Sequence, residues 1–193
     1  AVHVITPEME AIKELTRTRA SALKAQKRAK QNLLSFLLRK GMVYPFGGRA
    51  KYWTQQFFAW LKTLEFSNPV ERYSFEEYLA EVNHQISRIS RLDDKIAELA
   101  EDPLIKDDVK KLCCFSGIST LTAVSFISEI GDFNRFQKAT YFSNYLGLCP
   151  GIHKSGLSSQ SLGITKTGNK NLRRLLIESA QSMSHSQICG KKS

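Results

Sequence analysis

From Ile12 the chain carries Leu15, Ala22, Ala25, Ala29, Leu33, Phe36 and Leu37 at helical spacing among Lys24, Lys27, Arg28 and Lys30. A thin apolar stripe of this kind predicts one long helix. Thr6 supplies an N-cap, Pro7 a residue preset for the first turn, and Glu8 and Glu10 acids that favour the helix dipole. Gly41 supplies the stop. Residues 41 to 73 gather Gly41, Pro45, Gly47, Gly48 and Pro69 around the aromatic stretch Tyr52 to Leu64, which reads as a connector with one helix. Ser74 precedes Glu77 at capping-box spacing and marks the start of a second long helix. Leu79, Val82, Ile86, Ile89, Ile96 and Ala100 then follow in steps of three and four, interrupted by Asp93, as a coiled-coil stripe. Two long helices joined by a folded tip make an antiparallel helical hairpin or a dimerising arm, and the stripe is too short to choose between them.

From Pro103 the texture changes to shorter apolar helices with glycine-rich breaks, so the boundary falls between an arm, residues 1–102, and a compact domain, residues 103–193. The expected fold is mostly α. Leu112, Phe115, Leu121, Ala123, Val124, Ile127 and Ile130 surround Gly117-Ile118-Ser119 and predict two short helices with a tight turn after Gly117. The turn is helix-hairpin-helix-like, a geometry in which backbone N–H groups contact a DNA phosphate, so Gly117 and Ser119 are candidate contacts. Such modules have a second glycine where Ser119 stands, and a plain packing turn fits equally well.

Composition sharpens this picture. The 193 residues suit one domain with an extension or two small ones, and 11 Phe, 6 Tyr and 2 Trp exclude a disordered basic tail. The net charge of +10 points to a polyanion partner. It is unevenly placed: residues 1–40 carry nine basic and three acidic side chains, 41–105 seven and ten, and 106–193 twelve and five. Within the last segment, Thr165, Lys166, Gly168, Asn169 and Lys170 form a glycine-rich turn, followed by Arg173 and Arg174, with Lys170 and Arg174 on one helix face. A run of charge is ordinarily a solvated face, and its pairing with flexible small residues favours phosphate binding over that reading. No apolar run approaches the ~18 residues of a membrane helix, and a soluble cytoplasmic protein with no membrane partner is expected. Cys113, Cys114, Cys149 and Cys189 show neither disulfide nor zinc spacing and read as small buried thiols. The start, Ala1-Val2-His3-Val4-Ile5, has no initiator Met and reads as a piece whose front is missing.

Ser155-Gly156 alone is a turn signal. However, the blocks L-x-x-F-x-G-I-S-x-x-T-A from Leu112, E-I-G-D-F-x-R-F from Glu129, Y-L-G-L-C-P from Tyr145, S-G at Ser155, G-I-T-K-x-G-N from Gly163 and L-R-R-L-L from Leu172 follow in order. Together they closely resemble the C-terminal transposase domain of the insertion-sequence one-ten family of DNA recombinases. Residues 1–102 resemble that family's linker, through T-P-E-x-E at Thr6 and F-L-L-R-x-G ending at Gly41. The resemblance implies a serine that attacks DNA, which falls on Ser155, with Lys154, Gly156, Thr165, Lys166, Gly168, Asn169, Lys170, Arg173 and Arg174 holding nucleic acid. It implies a RuvC-like N-terminal domain whose four acids bind divalent metal, magnesium in the simplest case. It also implies DNA and a structured guide RNA as partners, and homo-oligomers assembled through the coiled-coil arm. That acidic domain should precede residue 1, so no metal is expected on this chain, and Asp93-Asp94, Asp107-Asp108 and the pair Glu129 and Asp132 read as solvated or capping acids.

Serine attack on a phosphodiester conserves bond energy for rejoining, and the weakly nucleophilic hydroxyl needs a proton acceptor and charge stabilisation. His153, two residues from Ser155, invites a general-base reading, with a surface histidine as the plainer one. The function expected is therefore DNA binding and serine-mediated strand cleavage and exchange in transposition, with this chain inactive alone. The alternative is a noncatalytic helical adaptor that binds nucleic acid or a protein.

Overall fold

The N-terminal signals act as their chemistry dictates. In the computed structural model, which describes residues 6–46, 48, 52–155 and 158–190, and backbone alone for 152–155, 158–162 and 185–190, helix α1 runs Pro7–Arg39. The Met9 amide donates to Thr6 Oγ1 at 3.4 Å and the Glu10 amide to the Thr6 carbonyl at 2.9 Å. Gly41, at φ +68°, turns the chain so that the Met42 amide returns to the Leu37 carbonyl. Helix α2, Gln55–Lys62, is capped by Thr54, whose hydroxyl accepts from the Phe57 amide at 3.3 Å.

Helix α3 spans Pro69–Leu99 and begins five residues before Ser74. Asn68 is its cap, accepting from the Val70 amide at 2.8 Å, and Ser74 bonds backward to the Val70 carbonyl at 2.9 Å inside the helix. Asn-Pro at the start of α3 repeats the logic of Thr6-Pro7, and it outweighs the capping-box spacing because proline presets the first turn.

Beyond α3 come α4 (Lys106–Cys113), α5 (Thr120–Ile130), a 3₁₀ turn at Phe133–Arg135, α6 (Ala139–Leu146), strands β1 (Pro150–Ser155) and β2 (Ser158–Ile164), and α7 (Lys170–Gly190). The fold is mostly α. The sequence predicts only turns between α6 and α7, whereas the backbone there pairs as an antiparallel hairpin. Its register sets Pro150 opposite Ile164, Ile152 opposite Ser161 and Ser155 opposite Ser158, with an irregularity near Gly151. Polar residues and glycine fill these strands where β-branched residues would have announced them.

The chain divides into two units, one of residues 18–92 and one of residues 1–17 with 93–193, so the division does not coincide with residue 102. The first is built on Phe57, fully buried, with Tyr44, Tyr52 and Trp53 rings each 5.1 Å away. Leu33, Leu61 and Val82 complete that core. In the second unit Met9 and Ile12 pack with Ile96, Ala100, Val109 and Ala123. A neighbouring cluster joins Phe126, Ile130, Leu146 and Leu172. Val82, Ile96 and Ala100 of the arm stripe are therefore covered by the chain's own side chains. The thiols depart from expectation, because Cys113 and Cys114 are exposed at the end of α4 and Cys149 is only partly buried. The Cys189 side chain lies outside the described residues.

Candidate nucleic-acid interface

Helix α6 ends in Gly147, at φ +66°, and the segment that returns from the hairpin settles on that end. The Thr165 amide donates to the Cys149 carbonyl at 2.9 Å and the Lys166 amide to the Gly147 carbonyl at 3.0 Å. The approach is so close that a Cβ on Gly168 would stand 1.9 Å from the Tyr145 carbonyl oxygen, and one on Gly147 would stand 2.6 Å from the Thr167 amide. Lys166 itself takes φ +56°, a left-handed conformation that a non-glycine residue holds only when its surroundings enforce it.

Arg173 provides part of that enforcement. Its guanidinium donates to the Leu146 carbonyl at 2.8 Å and to the Gly168 carbonyl at 2.7 Å, tying α7 to both α6 and the loop. Arg173 is 9% exposed and commits its Nη1 to protein carbonyls, a structural duty that the sequence reading of it as a phosphate contact does not include. Asn169 has a similar inward duty. Its side-chain oxygen accepts from the amides of Asn171 and Leu172 as the cap of α7, and its Nδ2 donates to Glu129 at 2.8 Å.

Glu129 is the hub of this arrangement. Arg17 reaches its two oxygens from Nε at 2.8 Å and Nη2 at 3.0 Å, and its carboxylate is only 5% exposed. Hydrogen bonding to Glu129 raises the pKa of Arg17 above the ordinary guanidinium value. The expected solvated or capping acid is instead a buried link among α1, α5 and the loop. Its signal in the sequence was its place at the head of the E-I-G-D-F-x-R-F block, but nothing local announced a partner 112 positions away.

The outer side of the loop is open. Ile164, Lys166, Lys170, Arg174, Ile177 and Gln181 line a groove of about 700 Å³, bordered also by Arg173 and Glu178. Arg174 is paired with Glu178 at 2.8 Å, but both side chains are about half exposed, and such pairs exchange readily with other anions. Thr165 and Lys166 are exposed next to this groove. The structure thus brings together Thr165, Lys166, Lys170 and Arg174.

Ser155 lies elsewhere. It stands at the tip of the hairpin opposite Ser158, with Lys154 preceding it, whereas Ile164 stands at the base beside the loop. Six strand residues at ~3.3 Å each separate tip from base, about 20 Å. The side chains of His153, Lys154 and Ser155 are outside the described residues, as is Gly156. Gly117 and Ser119 are also remote in role. A Cβ on Gly117 would be 2.3 Å from the Ser179 carbonyl of α7, so this glycine permits helix packing, and the Ser119 hydroxyl caps α5 through the Thr122 amide at 3.3 Å. Among the described residues no three His, Cys, Asp or Glu side chains could hold a metal ion, so the metal implied by the resemblance does not fit them.

Residues 109–192 match the model of the transposase IS116/IS110/IS902 family. The chain carries the transposase domain of this family. A Sinorhizobium fredii protein bearing the name of a transposase is 32% identical over all of this chain and 45% of its own length. The transposase for insertion sequence element IS1533 of Leptospira borgpetersenii is 31% identical over 90% of the chain and 50% of the relative. The pilin gene-inverting protein of Moraxella bovis is 32% identical over 49% of the chain and 30% of the relative. The chain spans about half the length of the first two. The groove, the hairpin tip and the Arg17–Glu129–Asn169 link all belong to the transposase domain or pack on it. None of its described helices is long and apolar enough to cross a membrane.

Proposed function

We propose that this chain is the strand-handling part of a DNA transposase, in which the groove beside α7 holds a DNA backbone and Ser155 supplies the attacking hydroxyl. The groove carries the reading, because Lys166, Lys170 and Arg174 face open space in a domain whose family is transposases. In the step itself, a bond forms between Ser155 Oγ and phosphorus while the bond from phosphorus to one DNA end breaks. The hydroxyl proton passes to the released end, so one phosphodiester is exchanged for another and rejoining needs no external energy. The ~20 Å between groove and tip corresponds to about six base pairs along a duplex, so the cations grip DNA a few base pairs from the attacked phosphate.

A divalent metal, which we place outside this chain, and a structured guide RNA belong to the same proposal. So does assembly with further copies. Because Val82 and Ile96 are filled within the chain, such assembly uses other surfaces of the arm.

The test is capture of the complete protein on nicked DNA, with the adduct mapped by mass spectrometry. An adduct on Ser155, lost in Ser155→Ala with folding and DNA affinity kept, is the expected result. An adduct on Tyr145, Ser158, Ser159 or Ser161 refutes the assignment. Salt-dependent binding with no adduct under active conditions favours the noncatalytic adaptor.

A further inference from the structure

The R-F pair of the E-I-G-D-F-x-R-F block has no part in the groove, yet Arg135 is set with care. Its guanidinium carbon lies 4.6 Å from the ring centroid of Phe136 and 4.6 Å from that of Tyr145. Those two rings are 5.3 Å apart and tilted by 50°, forming a notch in which the cation sits over both faces. Phe142, 5.2 Å behind Phe136, backs the notch and holds it to the core containing Leu146 and Leu172. Ring faces attract a cation and fix its plane, but they neutralise nothing.

What Arg135 lacks is an anion. Its Nε is enclosed and has no hydrogen-bond partner, and among the described residues no carboxylate or carbonyl bonds to the guanidinium. The acid closest in sequence, Asp132, is turned to cap the 3₁₀ turn, accepting from the Asn134 amide at 2.8 Å. The enclosed Nε is out of reach of any docking group, so what the notch holds out for an oxyanion is the Nη edge of the fork, its plane fixed by the two rings. The notch also joins the loop directly. Tyr145, which is 36% exposed, is the residue whose carbonyl meets Gly168 at the closest approach in the site.

We infer that Arg135, positioned by Phe136 and Tyr145, is a second docking point for a DNA phosphate, on the α6 side of the loop. The inference rests on the reading of this chain as a DNA-handling domain. It adds a contact made by a fixed, planar guanidinium to those made by exposed lysines, and it assigns the aromatic pair to setting that guanidinium.

The experiment is DNA affinity of the 193-residue chain against salt, for the parent, Arg135→Gln, Arg135→Met and Arg135→Lys, with circular dichroism of each. Removing one phosphate contact should make the slope of log K against log salt shallower by about 0.9 and weaken binding roughly tenfold at low salt. Arg135→Met fills the notch without charge and should behave as Arg135→Gln while keeping the parent's helical signal. Arg135→Lys should regain the slope but not the full affinity, since it restores charge without the fork. Parallel titrations with single-stranded RNA identify the source of the phosphate, and a loss confined to RNA overturns the DNA assignment. A parent that binds with steep salt dependence beside folded Gln and Met variants of unchanged slope and affinity overturns this inference alone. A parent chain that does not bind DNA overturns it together with the reading beneath it.

Discussion

Replacing Gly168 by alanine would test whether the loop is rigidly seated. The added Cβ would lie 1.9 Å from the Tyr145 carbonyl oxygen and 2.7 Å from the Leu146 carbonyl carbon, both backbone atoms that cannot rotate away. Reaching an ordinary contact of 3.4 Å requires about 1.5 Å of movement. A shift of that size breaks the 2.7 Å bond from Arg173 to the Gly168 carbonyl and leaves part of a buried guanidinium unpaired. One charge-assisted hydrogen bond lost in this way costs about 1.5–3 kcal/mol, to which crowding adds about 1 kcal/mol. The total, roughly 2.5–4 kcal/mol, should lower the melting temperature by about 5–16 °C for a chain of this size. Gly163→Ala is the internal control, because nothing lies within 4 Å of the added methyl and the change should stay within about 0.5 kcal/mol. Thermal unfolding followed by circular dichroism reads both. Equal stability of Gly168→Ala and the parent would refute the close seating of the loop on α6 and the clamping role of Arg173.

Two further outcomes are expected. Glu129→Ala removes a buried carboxylate with three hydrogen bonds; Arg17 is 43% exposed and recovers water, so the loss should be about 2–3 kcal/mol by urea unfolding, below the ~3–5 kcal/mol of a fully buried pair, and a loss under about 0.5 kcal/mol would deny the link any weight. Asn68→Ala should cost about 1 kcal/mol as the loss of a helix cap, while Ser74→Ala, within the helix, should be neutral or slightly stabilising; the reverse order would return the start of α3 to Ser74.

Features written into neighbouring residues were readable from the sequence. Thr6-Pro7 and Gly41 mark the ends of α1, Gly117 and Ser119 mark the turn into α5, and the apolar steps from Leu79 to Ala100 give the buried face of α3. Two legitimate cap signals, Asn68 and Ser74, lie six residues apart at the start of α3, and proline decides between them. The hairpin is not announced because Ser158 to Ile164 is mostly serine, glutamine and glycine, whose pairing depends on the opposite strand more than on propensity. Within the site, the cations beside glycine line one groove, but charge alone does not show that Arg173 also bonds carbonyls while Lys166 faces open space. Arg17 with Glu129, and Arg135 with Tyr145, meet only through tertiary packing.

The division into two units has a kinetic consequence. Residues 18–92 form one unbroken stretch of sequence, and their core around Phe57 closes using residues from Ala29 to Val82. That unit can complete itself as soon as it leaves the ribosome. Met9 and Ile12, although synthesised earlier, must wait for Ile96 and Val109 and for Ala123 on α5, more than a hundred positions later. Long-range contacts of this kind form slowly because a large loop must close first. Met9 and Ile12 are thus buried later than the stretch that follows them, and the seating of Arg17 on Glu129, which orders the loop, becomes a late step in the folding of the unit formed by residues 1–17 and 93–193.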